Sequence, residues 1–122
     1  MSWLRYLTLY TAKKFNPDWK IKLIVGPHPT VKGKPWKCRN KQDFFSYKGA
    51  NYFHLVEQLD ITIKDWSLTV PPDCSSTYID KLQPPHYCDI FEWQHLSQYG
   101  GFFADMDIIF LKSLNELHDK IT

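Results

Sequence analysis

Residues 89–107 read DIFEWQHLSQYGGFFADMD. Gly100-Gly101 divides this stretch, because glycine readily adopts the left-handed conformation that closes a helix. The spacing before it predicts a helix over Cys88–Tyr99. Ile90, Phe91, Trp93, Leu96 and Tyr99 lie on nearly all sides of that helix, so it should be buried. After the glycines, Phe102 to Leu111 is a strongly apolar run that reads as a strand. In an extended backbone Asp105 and Asp107 point to one face, with Phe103 and Ile109. Phe102, Ala104, Met106, Ile108 and Phe110 line the other face. Two apolar faces mark a buried strand or its mouth.

Two carboxylates in such surroundings repel each other and lose hydration. Protonation of one is a relief; a bound divalent cation is another, since hard cations take oxygen ligands. A cation held by two carboxylates keeps positions for water and substrate phosphates. The spacing alone is a weak signal in a chain with ten aspartates. Asp89 shares the face of Trp93 and Leu96, and Glu92 follows one turn on. An acid at the expected helix start is favoured by the helix dipole; contact with a sugar hydroxyl is the functional alternative.

Outward from this stretch the chain alternates helix and strand. Trp3, Leu7 and Tyr10 predict an amphipathic helix over 2–14, stopped by Asn16-Pro17-Asp18. Trp19–Val25 and Ile61–Trp66 read as strands, and Asn51–Leu59 as a helix. Residues 26–48 interleave Lys32, Lys34, Lys37, Arg39, Lys41 and Lys48 with Trp36, Phe44, Phe45 and Tyr47. Such a loop could cover a diphosphate or grip a single nucleic-acid strand, or be a solvated insertion. Residues 71–87 read as a loop between two Pro-Pro pairs, and Ser113–Lys120 as a last helix. This alternation belongs to an α/β fold.

Composition sets the bounds. The chain has 122 residues, of which 43% are hydrophobic and 16% aromatic, enough for one domain with a packed core. A net charge of +2 is too small to make nucleic acid the main partner. Cys38, Cys74 and Cys88 form no metal or disulfide pattern and read as reduced thiols of a cytoplasmic protein. Met1–Tyr10 is followed by Lys13 and Lys14 and carries no cleavage signature.

The stretch around the aspartates resembles the DXD sugar-binding region of the glycosyltransferase family that includes yeast initiating mannosyltransferases, and is similar to the matching region of clostridial glucosylating toxins. That pattern runs as a small residue and Asp, an Arg three later, a Leu, Gly-Gly, an aromatic and Asp-x-Asp. Here it stands as Cys88-Asp89, Glu92, Leu96, Gly100-Gly101, Phe103 and Asp105-Met106-Asp107. The resemblance is specific over about 30 residues, roughly Pro84 to Leu114, and weaker over Ser2–Val25.

The resemblance implies a partial GT-A-like fold, a mixed sheet flanked by helices, over a single incomplete domain, 1–122. It implies retaining transfer of a sugar from a UDP- or GDP-sugar donor to a saccharide or lipid acceptor, with Mn2+ or Mg2+ as cofactor. Asp107 would bind the metal, Asp105 the metal or the ribose, and Asp89 the hydroxyls of the donor sugar. Gly100 and Gly101 would let the backbone pass close to the donor. Glu92 stands where the family has arginine, and Phe103 where it usually has tyrosine. Against the family the chain lacks a first strand and distal acceptor contacts, which predicts a donor-binding half that self-associates through an uncovered sheet edge. The alternatives are a non-catalytic module holding metal or nucleotide, and a nucleic-acid binder using residues 32–48.

Overall fold

A computed structural model describes residues 1–25, 49–65 and 84–121. The basic aromatic stretch 26–48 and the loop expected over 71–83 lie outside these residues. The chain divides into two compact units. One comprises Met1–Leu23, Tyr47–Lys64 and Ala104–Thr122; the other comprises Ile24–Ser46 and Asp65–Phe103.

In the first unit, helix α1 spans Trp3–Phe15. Ser2 caps it, its hydroxyl accepting from the Arg5 N–H at 3.4 Å, so an otherwise orphan donor is satisfied. Lys13 and Lys14 in the last turn complement the helix dipole. Asn16 ends the helix, its N–H donating to the Ala12 carbonyl at 3.0 Å, and Pro17 prevents continuation. Strand β1 is Lys22–Val25, shorter than the expected 19–25. The Trp19 N–H donates to the Asn16 carbonyl at 3.1 Å, closing a turn that occupies the first residues of that run.

The helix expected over 51–59 is a 3-10 helix over Phe53–Leu59. The Asn51 side chain accepts from the Phe53 N–H at 3.1 Å, a local bond that competes with a regular helical start. Asp60 terminates it with φ 52, a conformation that aspartate tolerates better than most residues. This helix runs along α1: Trp3 meets Tyr52 edge-on at 5.0 Å between ring centroids, and Lys13 pairs with Asp60 at 3.3 Å. Val56, fully buried, joins Leu9 and Leu23 as the core of the described residues. Strand β2, Thr62–Asp65, pairs with β1 in a two-stranded parallel sheet. The described residues are thus a mixture of helix and parallel strand.

Two expectations need correction. Helix α2 spans Pro84–Tyr99, so it begins a full turn before Cys88 and takes in the end of the expected loop. Proline suits the first helical turn because its fixed φ is helical and its missing N–H would have no partner there. Asp89 therefore sits beyond the first turn, and capping does not explain it. Nor is the helix buried on all sides: Trp93 is 70% and Tyr99 63% exposed, while Asp89 is exposed and solvated. Phe91, His95 and Tyr99 instead stack along one side, with centroids 5.6 Å and 4.8 Å apart.

The second correction concerns 102–111, which form no strand. At its end the backbone bonds to a side chain of α1 instead of to a strand, and the chain just beyond it bonds to the residue that ends α1. The Phe110 N–H donates to Thr11 Oγ1 at 3.1 Å, and the Leu114 N–H to Asn16 Oδ1 at 2.8 Å. Short apolar runs do not by themselves distinguish strand from other buried or packed segments. A last helix, α3, spans Asn115–Ile121. The Trp19 indole N–H donates to Asn115 Oδ1 at 2.6 Å and the ring meets His118 edge-on, fixing α3 to the turn after α1. Among the described residues no helix is long and apolar enough to cross a membrane.

Candidate functional site

The aspartate pair belongs to the first unit and is set by α1. Thr11 and Asn16 hold the chain just after it, through Phe110 and Leu114. Thr11 Oγ1 can accept because its own proton goes to helix carbonyls, Leu7 at 2.8 Å or Thr8 at 3.2 Å. Asn16 is 3% exposed and spends both ends of its amide: Nδ2 donates to the Ala12 carbonyl at 3.0 Å, while Oδ1 also accepts from Ser113 Oγ at 3.3 Å.

Asp105 and Asp107 are both exposed, and Met106-Asp107 forms a turn. The expectation of a desolvated pair on one strand face is therefore corrected. The carboxylates are hydrated, and the alternation of a strand does not orient them. Their chemistry still fits a divalent cation. Both offer hard oxygen ligands accessible from solvent. Among the described residues no group of three or more His, Cys, Asp or Glu is gathered that could hold a metal. A cation held by two carboxylates alone would complete its shell with water and substrate oxygens.

The charge of Asp107 acts on one residue of α1 that the sequence did not single out. Arg5, half-buried on α1, feels its carboxylate. Burial pulls the guanidinium below its ordinary pKa, and the Asp107 charge acts in the opposite direction. An arginine stays protonated through such a shift. The signal available in sequence was thin: Arg5 is one of only two arginines beside thirteen lysines, and arginine is the type suited to fork-like pairing with carboxylate or phosphate.

Asp89, Glu92, Gly100 and Gly101 lie in the second unit, Asp105 and Asp107 in the first. Glu92 is half-buried on α2. The glycines act as expected at the end of that helix. Gly100 has φ 65 and its N–H donates to the Leu96 carbonyl at 2.8 Å; Gly101 has φ 103. A Cβ at either position would meet no atom within 4 Å, so the demand for glycine is one of backbone conformation. Gly101→Ala should cost roughly 1–3 kcal/mol, and Gly100→Ala about 1 kcal/mol. Urea unfolding of the two variants checks the order; equal, negligible shifts would show that the turn relaxes freely.

The chain matches the family described as glycosyltransferase sugar-binding region containing DXD motif, over residues 31–122. This is most of its length, and the chain belongs to that family. No curated protein and no solved structure was found to match. All the candidate residues from Asp89 to Asp107 fall inside the matched segment. Helix α1 and β1, where the likeness in sequence is weaker, precede it. Membership gives the chain a glycosyltransferase-like character, with a nucleotide-sugar as the kind of molecule its region serves.

Proposed function

We propose that the chain binds a nucleotide-sugar through a divalent cation at Asp105 and Asp107, as the donor-binding part of a retaining hexosyltransferase of GT-A-like fold, and that 1–122 act as one donor-binding domain. Asp107 binds Mn2+ or Mg2+; Asp105 binds the same cation or the ribose. Asp89 takes hydroxyls of the donor sugar, and Gly100-Gly101 admit the donor close to the backbone. When bound, the cation offsets charge on the departing diphosphate. The acceptor is a saccharide or a lipid, and the setting is cytoplasmic. No residue is assigned as a nucleophile. The observation that carries this reading is the family match spanning an Asp-x-Asp whose carboxylates are open to solvent.

Calorimetric titration with a panel of UDP- and GDP-sugars tests it. At least one donor should bind with manganese and lose most of its affinity without it; a panel that binds equally weakly with and without manganese would overturn the reading.

A second reading, a donor-binding module without transfer, is favoured by Glu92 at the family's arginine position. The panel separates the two when each bound donor is also assayed for sugar release to water or acceptor. Donor binding without release selects the module. Glu92→Arg should then tighten donor binding by roughly 1–3 kcal/mol, the worth of a charge-assisted hydrogen bond; unchanged affinity would make Glu92 a bystander.

A further inference from the structure

Helix α2 carries two rows of side chains that repeat every four residues. Phe91, His95 and Tyr99 form the ring stack. Asp89, Trp93 and Ser97 form the other row, two residues out of step and so roughly 200° round the helix. All three are exposed, Trp93 at 70%. Side chains four apart on a helix are neighbours, with roughly 5–6 Å between Cβ atoms. The indole therefore stands between a carboxylate one turn before it and a hydroxyl one turn after it. Both lie on one helix within one compact unit. Among the described residues no hydrogen bond or ring contact occupies the indole. A tryptophan open to water presents a broad apolar face that a ligand can cover. The carboxylate beside it accepts hydroxyl protons and repels anions. A ligand that suits both has an apolar face edged with hydroxyls, and a pyranose ring has that form. A nucleobase also stacks on aromatic rings, but the hydroxyl-accepting carboxylate one turn away favours the sugar. The matched sugar-binding segment 31–122 contains the whole of α2.

We infer that Trp93 is a sugar-stacking residue: its indole lies against the C–H face of the donor hexose, while Asp89, one turn earlier, accepts hydrogen bonds from that hexose's hydroxyls. The inference rests on the reading of Asp89 as the residue that takes donor-sugar hydroxyls. The two side chains contribute different things. The ring supplies area, which is non-directional. The carboxylate supplies direction, through hydrogen bonds strengthened by its charge. Together they select by configuration, because an axial hydroxyl on the stacked face would hold the sugar away from the ring. No bond is made or broken.

Two titrations of the full chain at saturating manganese test this, for wild type, Trp93→Ala and Trp93→Phe. One uses the UDP- or GDP-sugar that binds best; the other uses the same nucleoside diphosphate without its sugar. Trp93→Ala should bind the nucleotide-sugar roughly five- to tenfold more weakly, the worth of covering one face of the ring. It should bind the nucleoside diphosphate like wild type. Trp93→Phe, which keeps an aromatic face, should recover part of the loss. The nucleotide-sugar, and not the nucleoside diphosphate, should also change the tryptophan emission of wild type, and that change should vanish in Trp93→Phe. Because the side chain is exposed, denaturant unfolding should be unaltered in both variants. Affinities for the two ligands that fall together in Trp93→Ala would overturn the inference and give the ring to the nucleobase. A wild type that binds the nucleotide-sugar no better than the nucleoside diphosphate would overturn it too. If wild type binds neither ligand, the donor reading itself fails and the inference falls with it. If wild type prefers the nucleotide-sugar and Trp93→Ala matches it, only the inference fails.

Discussion

The double variant Asp105→Asn, Asp107→Asn is expected to lose manganese-dependent binding of UDP or GDP by at least about a hundredfold. Disturbing the groups that merely orient metal ligands commonly costs 10–100-fold, and here both charged oxygen ligands contributed by the chain disappear. Asparagine keeps their size and one acceptor oxygen, so the loss would be one of charge. Both aspartates are exposed, and stability should change by no more than about 0.5 kcal/mol. That separates ligand loss from unfolding. A double variant that binds manganese and nucleotide like wild type would remove the aspartate pair from the site.

The largest effect on folding should come from Asn16→Ala. The side chain is buried and connects α1 with the segment that follows the aspartates. Alanine removes three hydrogen bonds and leaves the Leu114 N–H without its acceptor. Each bond is worth about 0.5–1.5 kcal/mol net, and an orphaned buried donor about 1–3 kcal/mol. A loss of about 2–4 kcal/mol is expected from denaturant unfolding. Asn16→Asp should not rescue it at neutral pH, because a carboxylate oxygen would then face the Ala12 carbonyl in place of the Nδ2 donor. Manganese affinity should fall in Asn16→Ala, since the chain beyond Asp107 loses an anchor. A cost below about 0.5 kcal/mol would mean that the helix end and the following segment are held by other contacts.

The elements that were legible in sequence are those whose cause is local. The apolar spacing from Trp3 to Tyr10 and the stop at Asn16-Pro17 are enough to place α1 within a residue at either end. Gly100-Gly101 marked the end of α2 because their backbone angles are ones other residues avoid. The start of α2 was less legible, since Pro84-Pro85 serve equally well to close a loop or to open a helix. The strand expected over 102–111 is absent, and the anchors that hold its end are non-local: the Phe110 N–H bonds to Thr11, and Leu114 just beyond the run bonds to Asn16, about a hundred residues earlier. With no ladder, the buried surroundings expected for the aspartates failed too. Their candidacy rests on the resemblance of the surrounding stretch, and they lie inside the residues that the family match covers. The action of the Asp107 charge on Arg5 was hidden for the same reason as the side-chain anchors: a charge on a helix carries no mark of residues distant in sequence.

The attachment of residues 110–114 to α1 also governs what kinds of change this region can absorb. A strand in a ladder can slide by two residues and keep equivalent bonds, because every rung is the same. Here the rungs are two particular side chains, a threonine and an asparagine, at fixed heights on a helix. Leu111, the one apolar residue between them, can be exchanged with little consequence, since it is 81% exposed. The number of residues there cannot change: adding or removing one residue between Phe110 and Leu114 would leave one anchor facing the wrong amide. The segment behind the aspartate pair is therefore measured by length, with Ser113 the one residue between the anchors whose side chain bonds to Asn16.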